Sequence, residues 1–87
     1  KVWITHIGGY PNRYSKRVSE NLKHEKVDLF ICGHSHILKV INDKKHNLLH
    51  INPGAIGKHG FHNKRTMVRF EIDGKKIENL EIIEFNR

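Results

Sequence analysis

The sequence predicts an α/β fold, with about six strands and one main helix, and three patterns carry that prediction. Val27 to Cys32 is an apolar run almost without polar interruption, which fits a strand covered on both faces. Tyr14, Val18 and Leu22 recur four apart among polar and basic residues, the narrow apolar stripe of a surface helix. Thr66 to Ile72 alternates, with Val68, Phe70 and Ile72 on one side and Met67, Arg69 and Glu71 on the other, as a half-buried strand does.

The elements follow in order. Lys1 to Thr5 reads as a short strand that delivers His6 at its end. Ile7 to Asn12 is a loop by its Gly, Pro and Asn content, and the helix is expected from Arg13 to about Glu25. Lys23, His24 and Lys26 near the helix end suit the negative pole of its dipole. The Val27 strand stops at the turn Gly33-His34-Ser35-His36. Ile37 to Ile41 and Asn47 to Ile51 then form a hairpin around Asn42 to Lys45. A loop from Asn52 to Gly57 leads into a polar segment, Lys58 to Arg65. Thr66 to Ile72 pairs with Lys76 to Phe85 across Asp73-Gly74, and the alternation slips near Glu78-Asn79. No repeat, low-complexity tract or linker divides residues 1–87. Val2-Trp3-Ile4 reads as a core strand with no lead-in, so the expectation is part of a longer domain.

Composition narrows the function classes. The chain has 87 residues and a formal charge of +7. That charge would suit an anionic partner, but the basic residues are scattered rather than massed, so a nucleic acid is not the expected partner. The single cysteine, Cys32, excludes an internal disulfide and reads as a small buried hydrophobe. No run of about 18 apolar residues suggests a membrane span, and no signal peptide is evident. Cytoplasm is the default compartment.

Three loops could carry chemistry: His6 with Gly8-Gly9, Gly33 to His36, and Asn52 to Gly57. In layered α/β folds, sites assemble at the C-terminal ends of strands. Neutral imidazole is the commonest side-chain metal ligand. If the turn is extended, His34 and His36 share a face about 7 Å apart at the backbone. Their rings then converge on one ion or straddle two, and spacing alone does not choose.

Read together, Thr5-His6 with following glycines, Gly33-His34-Ser35-His36, and Asn52-Pro53-Gly54-Ala55 resemble the C-terminal half of the calcineurin-like metallophosphoesterases, especially their small phosphodiesterase branch. There the motifs read His-Gly, Gly-His-Thr/Ser-His and Asn-Pro-Gly-Ser. The resemblance implies about half of a four-layer sandwich, two sheets flanked by helices. It implies metal-dependent hydrolysis of a phosphate ester, expected to be a diester, by a water held between two divalent ions. Manganese, iron or zinc suit imidazole and carboxylate donors, with manganese favoured. His6 and His34 would bind one ion and His36 the other. Asn52, Pro53 and Gly54 would shape the floor of the site. The partner implied is a phosphate-ester substrate, a small molecule or nucleotide.

The chain departs from the pattern in three ways. Ile7 follows His6 where the family has glycine, and Ala55 replaces the serine. The family's Asp-x-His, Gly-Asp-x-x-Asp and Gly-Asn-His motifs are absent from these residues. Those motifs supply the bridging carboxylate and the general acid, so no catalytic residue is assigned within residues 1–87, and these residues alone are expected to be inactive. Two other readings stand beside this one. The first is a non-catalytic scaffold or binding member of the same fold; the second is a self-contained single-metal site of His6, His34 and His36.

The remaining residues have more modest expectations. His24 is a solvated helix end, His46 a solvated turn residue, and His50 a satisfied core or edge residue. His59 and His62 belong to a cationic loop with Lys58, Lys64 and Arg65. That loop is either simply solvated or touches substrate phosphate, with Arg65 the best placed for phosphate by its forked donors. Tyr10 and Asn12 are candidates to line the pocket.

Overall fold

Local pairing decides where the helix begins. The computed structural model describes every residue from Lys1 to Arg87. Gly9–Tyr10 (β2) pairs antiparallel with Arg13–Tyr14 (β3), with Asn12 in the left-handed region at φ 73°. The helix α1 therefore starts at Lys16 rather than Arg13, and runs to His24. Ser15 caps it, its side chain accepting from the Val18 N–H at 3.4 Å. Counting this two-residue pair, the chain has eight strands rather than six.

Val2–Ile4 (β1), Leu29–Ile31 (β4), Leu38–Asp43 (β5) and Leu48–Pro53 (β6) form one sheet in the order β1-β4-β6-β5. β1, β4 and β6 run parallel, with Ile4, Ile31 and Ile51 side by side at their C-terminal ends. β5 pairs antiparallel with β6, the hairpin expected from sequence, although its turn lies two residues later. Strand β6 also continues through Asn52 and Pro53, which still pair with Lys39 and Leu38, so the third loop starts later than its Asn-Pro content suggests.

The sheet is covered differently on its two faces. Against α1 lies a core of Val18, Val27, Phe30, Cys32 and Leu48, with Trp3, Tyr14 and Leu22 packed around it. Full burial of one such side chain as Phe30 contributes about 1.5–3 kcal/mol. Cys32 is buried as expected, and burial pushes its thiol pKa up, so it is a poor nucleophile at neutral pH. On the opposite face Leu29 and Ile51 are buried. There a second hairpin, Lys64–Asp73 (β7) with Lys76–Asn86 (β8), brings Ile72 and Ile77 to a cleft shared with Val2 and Leu29. Its two-residue loop is Gly74-Lys75, one position beyond the expected Asp73-Gly74, with Gly74 at φ 61°. The slip expected near Glu78-Asn79 is present as a register shift opposite Arg69–Glu71. The edge strand β1 has cover on one face only: Trp3 turns toward α1, while Val2 and Ile4 remain 48% and 69% exposed. No helix is long and apolar enough to cross a membrane.

Two polar groups on the α1 face differ from expectation. His46 is not simply solvated: its Nδ1 lies 2.8 Å from Asp43 Oδ2, and the Tyr14 hydroxyl donates to the same oxygen at 2.8 Å. Burial would raise the Asp43 pKa, but hydrogen bonds from His46 and Tyr14 outweigh it and hold the carboxyl below its usual range. His50 is buried as expected but is not satisfied, because neither ring nitrogen has a hydrogen-bond partner. Its ring packs among Tyr10, Tyr14 and Phe30.

Burial lowers the His50 pKa, Asp43 opposes the shift, and Lys39 adds to it. The unfolded chain thus binds a proton more readily than the folded one. The stability this neutral ring provides is present above about pH 6.5 and declines as pH falls, by at most about 1.4 kcal/mol per pH unit. His50→Phe is expected to flatten the decline in Tm between about pH 6.5 and 5, and to raise Tm at pH 5. Thermal denaturation across that range, read against wild type, checks it; an unchanged slope contradicts it.

Candidate metal centre

Parallel registration gathers the three loops at one edge. Thr5 N–H bonds to Ile31 O at 3.0 Å, Cys32 N–H to Ile51 O at 3.0 Å, and Gly33 N–H to His6 O at 2.8 Å. The residues that follow β1 and β4 are therefore tied to each other and to β6 before any side chain is considered. Arg17, on the first turn of α1, adds a further tie by donating to Thr5 Oγ1 at 2.8 Å and Ile7 O at 3.2 Å. Sequence reading did not single out Arg17. Its only signal was its place one residue before Val18, the buried position of the helix.

His6 and His34 meet. His34 Nδ1 lies 3.2 Å from His6 Nε2, with the rings nearly perpendicular at 5.0 Å between centroids. Two imidazole nitrogens each about 2.1 Å from a shared ion stand about 3.0–3.4 Å apart at adjacent positions. The separation matches that range, and both residues are exposed, which leaves room for further ligands.

The turn itself is not extended. His34 and His36 both take left-handed backbone conformations, φ 74° and 64°, a region that L-residues other than Asn and Asp seldom enter. Ser35 N–H bonds to Gly33 O at 2.9 Å, and Ile37 N–H to Ser35 Oγ at 3.2 Å, which tightens the turn. The shared face expected for His34 and His36 is consequently lost. His36 packs instead against His62, with centroids 5.2 Å apart and planes at 89°. No group of three or more His, Cys, Asp and Glu side chains gathers in a metal-holding arrangement, so His6, His34 and His36 do not form one cluster.

Asn52, 1% exposed, braces the turn from below. Its amide nitrogen lies 3.2 Å from Gly33 O and Ser35 Oγ and 3.3 Å from the Tyr10 hydroxyl, and its Oδ1 accepts from Gly54 N–H at 3.0 Å. Tyr10 and Ser35 also share a short hydroxyl contact. Gly54 sits at φ 77° where a Cβ would overlap Thr66 Oγ1, and Thr66 Oγ1 donates to Pro53 O at 2.7 Å. Asn52, Pro53 and Gly54 thus underlie the histidine turn and anchor it to β7. Tyr10 belongs to this network; Asn12 lies at the tip of the β2–β3 pair and makes no hydrogen bond to it.

Arg65 is engaged elsewhere. Its Nε donates to Asn86 O at 3.3 Å, its Nη1 to Ile56 O at 3.4 Å, and the guanidinium lies 5.3 Å from the Phe85 ring centroid. His24 and His59 are exposed. Asp43 lies at the far end of the β5–β6 hairpin, where its carboxylate is occupied by His46 and Tyr14.

The sequence model of the calcineurin-like phosphoesterase superfamily domain matches residues 1–75. The chain belongs to this superfamily. His6 and His34 stand on the loops that follow the parallel strands β1 and β4. Among solved structures the chain is similar to Vacuolar Protein Sorting 29 from Cryptosporidium parvum, with 20% identity and a TM-score of 0.46. That similarity covers 99% of this chain and 52% of the other, so the chain spans about half the length of the structure it matches. No curated protein matches it.

Proposed function

We propose that this calcineurin-like chain contributes the histidine half of the active centre of a metal-dependent phosphoesterase, acting on a phosphodiester. The observation that carries this reading is the 3.2 Å approach of His6 Nε2 and His34 Nδ1 at the C-terminal edge of the parallel strands. In the proposal His6 and His34 hold one divalent ion and His36 serves the other, with manganese the preferred metal over iron or zinc. Bound divalent ions supply Lewis acidity and an activated water at neutral pH.

The chain's own residues do the positioning. Asn52 holds the Gly33–His36 turn so that the two histidines point to different partners. Arg17 fixes the loop that presents His6. The exposed faces of His6 and His34 leave the substrate's phosphoryl group an open approach. Carboxylate ligands and the general acid come, in this reading, from residues outside these 87, which form the C-terminal half of one domain. Arg65 would need to leave the carbonyls of Asn86 and Ile56 to reach a phosphate, so site shaping at the loop base is its better role.

Incubation of the full-length protein with manganese and a generic aryl phosphodiester is expected to release the aryl alcohol at a rate that a chelator abolishes. Hydrolysis of the monoester alone would revise the substrate class. No turnover with manganese, iron or zinc would favour a non-catalytic binding member of the fold.

A further inference from the structure

We propose that His62 is a second nitrogen ligand for the ion assigned to His36, so that the loop after Asn52-Pro53-Gly54 completes a metal subsite of its own. The inference rests on the reading that His36 serves an ion, and it adds a residue that lies outside the three motifs.

Hydrogen bonding fixes the chemistry of His62. Its Nε2 lies 2.7 Å from Gly57 O, and a carbonyl only accepts, so Nε2 carries the proton. In the neutral ring Nδ1 then presents a lone pair. That Nδ1 is shielded from solvent and has no hydrogen-bond partner. Buried acceptors are normally paired, so a solvent-shielded lone pair without a donor asks for one. A histidine that donates one ring nitrogen to a backbone carbonyl while the other is free is the usual arrangement of a metal ligand, because the carbonyl sets tautomer and ring orientation. The same tautomer argues against a direct contact with substrate phosphate. An anionic oxygen needs a donor, and Nδ1 is an acceptor.

The surroundings keep His36 and His62 together. Gly60 takes φ 128°, a conformation side chains rarely adopt. A Cβ there would overlap His36 Nδ1 and stand 3.1 Å from His62 Nδ1, so both Nδ1 atoms border the space over this one glycine. The backbone of His62 is held by Arg87, whose Nη1 donates to His62 O at 2.6 Å. An imidazole pair suits zinc, manganese or iron rather than calcium or magnesium. With two nitrogens supplied by the chain, the other coordination positions remain for carboxylate, water or substrate oxygen.

Cobalt(II) titrated into the full-length protein, read by its visible absorption and by bound metal per chain, tests this. His62→Gln retains an amide donor toward Gly57 O but removes the imidazole Nδ1, and Gly60→Ala sets a Cβ against His36 Nδ1 and beside His62 Nδ1. Wild type is expected to take up two cobalt equivalents. His62→Gln is expected to bind one of them more weakly, by about a hundredfold or more, with unchanged circular dichroism, and Gly60→Ala to weaken the same equivalent. His34→Asn should weaken the other equivalent instead. If His62→Gln binds both equivalents as wild type does while His36→Asn loses one, His62 is not a ligand, and the proposed function stands. If wild type takes up no cobalt, both readings fall.

Discussion

His34→Asn is expected to lower metal affinity by about a hundredfold or more and to remove metal-dependent hydrolysis at metal concentrations that saturate wild type. Loss of an outer partner of a metal ligand alone typically costs 10–100-fold, so loss of a ligand sets that range as a lower bound. The choice of asparagine matters. His34 sits at φ 74°, where Asn is tolerated better than most side chains, so the substitution should add no backbone strain. The side chain is also exposed, so no core packing is lost. Tm should stay within a degree or two of wild type, or rise, while metal binding by calorimetry collapses. Retained metal affinity would exclude His34 as a ligand. A large fall in Tm would mean that the ring is structural.

Asn52→Ala is expected to cost about 2–4 kcal/mol of stability, the largest effect of any substitution at the site. The side chain is 1% exposed, and it serves the Gly54 N–H on one side and Gly33 O, Ser35 Oγ and Tyr10 Oη on the other. Removing it leaves at least the Gly54 donor and the Gly33 acceptor without their partner. Each unsatisfied buried group costs about 1–3 kcal/mol. Because Gly33 begins the turn that carries His34 and His36, metal affinity should fall together with stability. Urea denaturation of the variant measures the first effect and metal titration the second. A stability change under about 0.5 kcal/mol would show that the amide network does not hold the turn.

The strands were legible where hydrophobic pattern and burial coincide. Leu29, Phe30 and Cys32 are buried as their apolar run implied, and the β5–β6 and β7–β8 hairpins form as expected, with turns two and one residues later than their turn residues suggested. The small β2–β3 pair was not legible, because Gly9-Tyr10 and Arg13-Tyr14 carry no periodicity of their own. They are held by backbone bonds, one of them from Ser15 N–H to Gly8 O at 2.8 Å. For the same reason the helix start was misplaced by three residues. Tyr14 occupies the right place in the apolar stripe, yet lies in a strand.

The candidate site was legible as motifs rather than as geometry. Strand ends could place His6 and His34 near one another once β1 and β4 were parallel neighbours. Nothing in Gly-His-Ser-His announces two left-handed residues, so the different directions taken by His34 and His36 became visible only in the structure. His62 belonged to a polar loop with no pattern, and its role depends on Gly57 O and Gly60, contacts that spacing does not reveal. The isolation of His50 was hidden in the same way, since a histidine among apolar residues gives no sign of whether its nitrogens find partners.

Anomalous diffraction from crystals of the full-length protein grown with manganese is the most direct measurement of the central claim. A manganese peak within about 2.3 Å of both His6 Nε2 and His34 Nδ1, with a second beside His36, is the predicted result. Crystals equilibrated in millimolar manganese with no anomalous peak at the His6–His34 pair would contradict it.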